Sequence, residues 1–118
     1  MNFILVGLGG FLGSICRYLI SQIIQNKSGS FPISTFLVNV GGSLLIGVFY
    51  GISQDKFSEE VRLFATVGFC GGFTTFSTFA LENLRLFQAG NYIIFLVYTV
   101  FSVSVCISAV FLGAYLTK

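Results

Sequence analysis

The sequence predicts an all-α integral membrane protein with four transmembrane helices. Of the 118 residues, 55% are hydrophobic and only 8% are charged, whereas a soluble domain carries about 25% charged residues. Charge-poor runs recur that are long enough to cross about 30 Å of hydrocarbon, which takes roughly 20 helical residues. A water-soluble fold is therefore excluded.

Four runs meet this length and form a single four-helix domain over residues 1–118. They cover residues 3–24, 33–52, 62–87 and 92–116. Pro32 opens the second span, and Ser58 is placed to cap the third, with Glu59 and Glu60 at its positive end. The first apolar stretch lacks a basic region before it, so we expect it to remain as a mature helix.

Composition also excludes several classes of function. The net charge of +2 is too small and too scattered for nucleic-acid binding. The chain has no histidine, and Cys16, Cys70 and Cys106 lie far apart without a CxxC pair, so they are expected to pack rather than bind metal. The four acids are Asp55, Glu59, Glu60 and Glu82. Because most of them share one polar loop, no catalytic constellation is found and an enzyme is not expected.

The positive charges are almost evenly divided between the two membrane sides. Lys56, Arg62 and Lys118 share the side of the N-terminus, and Lys27 and Arg85 lie opposite, three against two. The positive-inside rule then hardly selects an orientation, which suggests insertion both ways round. Since four helices can hardly enclose a pathway alone, a homo-oligomer is expected.

Three pairs of glycines have the small-xxx-small spacing that lets membrane helices approach closely. The pairs are Gly9 and Gly13, Gly47 and Gly51, and Gly68 and Gly72. This pattern fits contacts within a subunit or between subunits, and the sequence leaves both open.

Two polar side chains lie inside the first and second spans. Arg17 follows an uncharged run, where it must snorkel to the membrane edge, find a partner or attract an anion. Asn39 lies within FLVNVGGSLLIG. Its amide either donates to an anion or makes a hydrogen bond between helices.

The middle of the third span, GFCGGFTTFSTF, predicts a helix broken in mid-membrane, because two adjacent glycines precede two threonines. Freed carbonyls at such a break can hold a hard cation such as Na+. The alternative is a simple kink in which threonine hydroxyls bond the backbone. Phe76 and Phe79 share a helical face there, and their positive ring edges can contact an anion unless they only pack.

The fourth span carries one polar face. Tyr98, Ser102 and Cys106 follow at i, i+4 and i+8, which places two hydroxyls and a thiol in line. They predict a polar track, although hydroxyls in membrane helices more often bond their own backbone.

Across essentially its whole length the chain resembles the Fluc family of fluoride channels, also called CrcB proteins. The matching blocks are GGFLGSICRY at 9–18, NVGGSLLIG at 39–47 and GFCGGFTTFSTF at 68–79. The resemblance implies an antiparallel, dual-topology homodimer in the bacterial plasma membrane, with two fluoride pathways and one structural Na+. It implies passive export that lowers cytoplasmic fluoride. Fluoride itself is inferred from the resemblance alone.

The resemblance also implies roles for individual residues. The backbone carbonyls of Gly71 and Thr74 would hold Na+. The fluoride pathway would be formed by Asn39, Phe76, Phe79, Thr75, Ser77, Thr78, Tyr98, Ser102, Glu82 and Arg17. Cys106 stands where a second serine is expected, and a thiol is a weaker donor than a hydroxyl.

Two other functions compete with this reading. A small multidrug-type cation exporter also has four helices and often dual topology, but it needs a carboxylate in the first span, where this chain has only Arg17 as a charge. A packing or assembly subunit without transport would leave residues 71–79 unexplained.

Overall fold

The computed structural model describes residues 1–25, 30–56 and 58–117, and the side chains of 53–56 lie outside this description. All regular secondary structure in these ranges is helical. The elements are α1 (Asn2–Ile23), α2 (Ile33–Lys56), α3 (Glu59–Arg62), a π-helical segment (Leu63–Cys70), α4 (Gly71–Phe73), α5 (Phe76–Gln88) and α6 (Tyr92–Leu116). Four helices in the described chain are long and apolar enough to cross a membrane, which confirms the predicted number of spans.

The observed helix bounds lie close to the predicted ones, except at the polar ends of the second and third spans. The second helix continues to Lys56, and the third span covers Glu59–Gln88. Ser58 caps it as predicted, because its hydroxyl accepts a hydrogen bond from Val61 N–H at 3.3 Å. Of the charges used to compare the two membrane sides, Lys27 and Lys118 and the side chain of Lys56 lie outside the described residues.

The helices pack in two pairs. Helix α1 lies against the π-helical segment and α4, whereas α2 lies against α6. Helix α5 packs on α6 through a small hydrophobic cluster centred on Phe79, Leu86 and Tyr98. Most other large apolar side chains face outward, as expected where lipid is the solvent.

All three glycine pairs are used inside this chain. A Cβ on Gly9 or Gly13 would collide with the backbone of the π-helical segment, and one on Gly68 or Gly72 would collide with α1. The third pair faces α6. A Cβ on Gly47 would meet the carbonyl of Val110. All three pairs therefore make the contacts within the subunit that the sequence allowed, and contacts between subunits stay a prediction.

Candidate ion pathway and cation site

The third span is interrupted at Thr74 and Thr75. Thr74 ends α4 with extended backbone, φ −84° and ψ 156°, and Thr75 continues it with φ −149° and ψ 123°. The Thr75 hydroxyl caps α5 by accepting from Thr78 N–H at 3.3 Å. The structure therefore has the broken third helix that the sequence predicts.

The adjacent glycines do not themselves unwind, which corrects part of that prediction. Gly71 and Gly72 are helical in α4. Gly72 is needed for the close approach to α1, since a Cβ there would lie 2.5 Å from the Gly10 carbonyl oxygen. The two threonines alone are extended.

Asn39 of α2 holds the break. Its Oδ1 accepts from Thr75 N–H at 2.9 Å, and its Nδ2 donates to Thr75 O at 3.2 Å. The amide thus makes the interhelical hydrogen bond that the sequence offered as one of two possibilities. It satisfies backbone groups that extended Thr75 cannot bond within a helix.

The break releases several carbonyls from the helix. In a continuous α-helix Gly71 O would accept from Thr75 N–H, and Thr74 O would accept from Thr78 N–H. Thr75 N–H donates to Asn39 and Thr78 N–H donates to the Thr75 hydroxyl. Gly71 and Thr74, the two residues to which the family resemblance assigns Na+, are therefore among those whose carbonyls lose their helical donors.

The chemistry of this donor set fits a monovalent hard cation. Neutral carbonyl oxygens are ligands that Na+ accepts, and a divalent ion there would lack neutralising charge. No group of three or more His, Cys, Asp or Glu side chains comes together in the described part of the chain. One feature also agrees with a simple kink: the Thr74 hydroxyl donates to Cys70 O at 2.9 Å.

Arg17 reaches the same break from α1. Its Nε donates to Gly72 O at 3.2 Å, and its side chain is half-buried. The sequence allowed Arg17 to snorkel, to find a partner or to attract an anion, and the structure shows a partner. That partner is a carbonyl next to the break.

A groove of about 620 Å³ runs along one face of the chain between α2, the third span and α6. It brings together many of the predicted site residues. Those lining it are Asn39, Gly71, Thr74, Thr75, Phe76, Phe79, Ser102 and Cys106. Arg17, Ser77, Thr78, Glu82 and Tyr98 are not among the described residues that line it.

The two phenylalanines are neighbours with very different exposure. Their ring centroids lie 5.5 Å apart with the planes tilted by 43°. Phe76 is 77% exposed at the groove, whereas Phe79 is only 7% exposed and packs on Tyr98 at a centroid distance of 4.9 Å. In the single chain, therefore, only Phe76 is open to the outside.

A half-buried carboxylate lies just beyond these rings. Tyr98 O–H donates to one oxygen of Glu82 at 2.9 Å, and Thr35 O–H donates to the other at 2.9 Å. A carboxylate in a membrane span needs such donors. Sequence reasoning missed Thr35, although it lies one helical turn before Asn39 and hence on the same face of α2.

Ser77 and Thr78 extend the polar region at the start of α5. The Thr75 hydroxyl oxygen lies 3.3 Å from the Ser77 hydroxyl and donates to the Thr78 hydroxyl at 3.2 Å. These three hydroxyls form one hydrogen-bonded group at the break.

A four-span helical protein whose broken third span offers freed carbonyls, hydroxyls and an aromatic edge to one groove has the architecture of an ion-handling membrane protein. The chain belongs to the CrcB family. The family model described as "CrcB-like protein, Camphor Resistance (CrcB)" matches residues 4–114.

Similar proteins carry the name "Fluoride-specific ion channel FluC". One from Bacteroides fragilis strain YCH46 is 50% identical over 119 residues, covering 96% of this chain and 93% of the relative. Another from Azobacteroides pseudotrichonymphae is 43% identical over 117 residues, covering 97% and 94%. One from Ruminiclostridium cellulolyticum is 43% identical over 122 residues, covering 100% and 93%. Membership of this channel family confirms the expectation that the chain is not an enzyme.

Proposed function

We propose that this chain is a fluoride-selective channel through which fluoride leaves the cytoplasm passively, down its gradient. The observation that carries the proposal is the groove at the helix break. Its lining includes the hydroxyl-bearing residues Thr74, Thr75 and Ser102 and the aromatic ring of Phe76. Such donors suit a small, strongly hydrated anion. The names of the relatives supply the identity of the anion.

The channel is an antiparallel, dual-topology homodimer of single-domain subunits. In one chain the groove is open on one side, so a second copy is needed to close a pathway. Because the groove holds many of the candidate site residues on one open face, we assign this face to the partner. The near balance of positive residues favours insertion in both orientations.

A structural Na+ would be held by the Gly71 and Thr74 carbonyls of both copies. Gly71 O and Thr74 O have lost their helical donors, and each of two copies contributes this pair. Arg17 supports the site by bonding the neighbouring carbonyl of Gly72.

The fluoride pathway follows the groove and continues past the rings. Asn39 fixes the break, and Phe76 and Phe79 present ring edges. The hydroxyl donors are Thr75, Ser77, Thr78, Tyr98 and Ser102. Glu82, which accepts from Tyr98, is the last residue of the proposed pathway. We propose that the dimer lies in the bacterial inner membrane, where it lowers cytoplasmic fluoride.

A fluoride electrode on liposomes that contain the purified protein tests the proposal. We expect rapid fluoride efflux once a K+ ionophore relieves the electrical potential, with no comparable loss of chloride. Equal loss of both anions would refute selectivity. Efflux that requires a proton gradient would instead favour a coupled exporter.

A further inference from the structure

Two hydrogen-bond donors in the groove have no partner among the described residues. Ser43 of α2 and Cys106 of α6 both line the groove, and both are half-buried. Within the described chain neither the Ser43 hydroxyl nor the Cys106 thiol makes a hydrogen bond. The hydroxyls of Ser21 and Thr66, in contrast, donate to backbone carbonyls three and four residues earlier. Ser43 therefore does not use the route by which hydroxyls in membrane helices are most often satisfied.

The packing of α2 on α6 places Ser43 and Cys106 at about the same level of the groove. The two helices run in the same direction, because one other span separates them along the chain. Gly47 of α2 lies against Val110 of α6, where a Cβ would meet the Val110 carbonyl. Ser43 and Cys106 each come four residues, about one helical turn, before these two positions. They are therefore level with each other to within about one turn.

Two lines of polar residues run in step along α2 and α6, with a spacing of four residues in each. They are Thr35, Asn39 and Ser43 on α2, and Tyr98, Ser102 and Cys106 on α6. The first members, Thr35 and Tyr98, donate to the same carboxylate, that of Glu82. This shared acceptor is independent evidence that the two lines are in register, so Ser43 and Cys106 are their matching last members.

The two last members supply one strong and one weak donor to the groove. A serine hydroxyl donates strongly, whereas a thiol donates weakly, and lipid offers neither of them an acceptor. We propose that Ser43 is a fluoride-binding residue, which donates to the ion at the level of Cys106 and supplies most of the stabilisation there. This inference rests on the proposed function. It adds a binding position one turn beyond Asn39, on the side away from Glu82.

Fluoride efflux from liposomes tests the role of the hydroxyl. Ser43→Ala should lower the efflux rate at least about tenfold, the effect of about one lost hydrogen bond to an ion. Ser108→Ala is the matched control and should leave the rate unchanged, because Ser108 is an exposed serine of α6 that lines a different groove with Leu44. A wild-type protein without fluoride efflux would overturn the proposed function itself. Equal efflux in the wild type and Ser43→Ala would overturn only the role of Ser43.

A matched pair of variants separates the hydroxyl from the shape of the side chain. Threonine and valine at this position have the same branched shape and differ by one hydroxyl. Ser43→Thr should therefore keep most of the efflux, and Ser43→Val should lose as much as Ser43→Ala. Equal efflux in the threonine and valine variants would show that shape rather than the hydroxyl sets the rate.

A second substitution tests whether Ser43 and Cys106 serve one ion. Cys106→Ser puts a strong donor at the same level, so it should restore most of the efflux that Ser43→Ala loses. Failure of this rescue would mean that the two residues do not share an ion.

Two further measurements distinguish fluoride from the other ligands that a hydroxyl could have. The dimer of Ser43→Ala should be as stable as that of the wild type, and its efflux should need the same concentration of Na+. A weakened dimer would assign the hydroxyl to the partner subunit, and efflux restored by more Na+ would assign it to the cation. Either result would overturn the proposal.

Discussion

Asn39 and Thr75 are joined by two hydrogen bonds that use the whole amide of one residue and both backbone groups of the other. The side chain of α2 thereby takes the place of a missing helical turn, with Oδ1 to N–H at 2.9 Å and Nδ2 to O at 3.2 Å. The same bonds deprive Gly71 O of its helical donor, so the candidate cation site depends on a residue of another helix.

We predict that Asn39→Leu destabilises the protein and lowers flux. The leucine leaves both backbone groups of Thr75 without their partner, at a cost of about 1–3 kcal/mol each. Thermal unfolding of the purified variant and of the wild type should show this loss, and liposome flux should fall in the variant. Equal unfolding temperatures would show that the amide does not support the break.

Substitutions of Phe76 and Phe79 should differ in their effect on stability, although both should lower fluoride flux. Phe79→Ile loses the ring contact with Tyr98 and should destabilise the protein by about 1–2 kcal/mol. Within one subunit Phe76→Ile changes a ring that is 77% exposed and should cost less than about 0.5 kcal/mol, whereas closure of the groove by the proposed second copy would raise this cost. Fluoride flux should fall in both. A stability loss at Phe76 as large as that at Phe79 would mean that a second copy covers the exposed ring.

Loss of either of the two hydrogen-bond donors to Glu82, Tyr98 or Thr35, should destabilise the protein. Tyr98→Phe and Thr35→Val each remove one hydrogen bond of 2.9 Å, worth about 1.5–3 kcal/mol when the acceptor is charged. The double variant should show a coupling of at least about 0.5 kcal/mol, because both act on one group. Tyr115→Phe, at an exposed tyrosine, is the control and should leave the unfolding temperature unchanged. Strict additivity would argue against a shared carboxylate network.

The sequence predicted the spans well, because hydropathy and length decide them without knowledge of contacts. It predicted a break but placed the glycines in it. Gly72 instead meets Gly10 of α1, and such a tertiary approach is invisible along the chain. The π-helical segment at Leu63–Cys70 was not predicted, since a shift in backbone bonding has no signature in composition.

Only part of the candidate site could be predicted, because contacts between distant residues are not visible in the sequence. Motif residues such as Asn39 and Thr75 could be named, but their bond to each other joins positions 36 residues apart. Thr35 escaped notice because a threonine in an apolar helix is ordinary until its partner, Glu82, is known.

Sodium should stabilise the dimer if the freed carbonyls bind it. Protein purified without Na+ should gain stability and flux when Na+ is added, and much less with K+. At a concentration 100 times Kd the gain is about 2.7 kcal/mol. If neither unfolding nor flux responds to Na+, the central cation site is absent from this protein.

Orientation in the membrane should be adjustable by charge. A few lysines added at the N-terminus should retain that end on the cytoplasmic side and give one population of chains. Expressed alone, this variant should lose flux, and co-expression with a variant biased the other way should restore it. Full activity of a demonstrably one-way variant would rule out the antiparallel dimer.

The glycine pairs bear on how the protein is made in the cell. Because each pair brings together two helices of the same chain, a newly inserted polypeptide can complete its close helix contacts as soon as its fourth span enters the bilayer. Biogenesis then has two stages, in which a finished subunit diffuses in the plane of the membrane until it meets another. For the antiparallel dimer proposed above, the speed of the second stage depends on how many copies have been inserted in the opposite orientation.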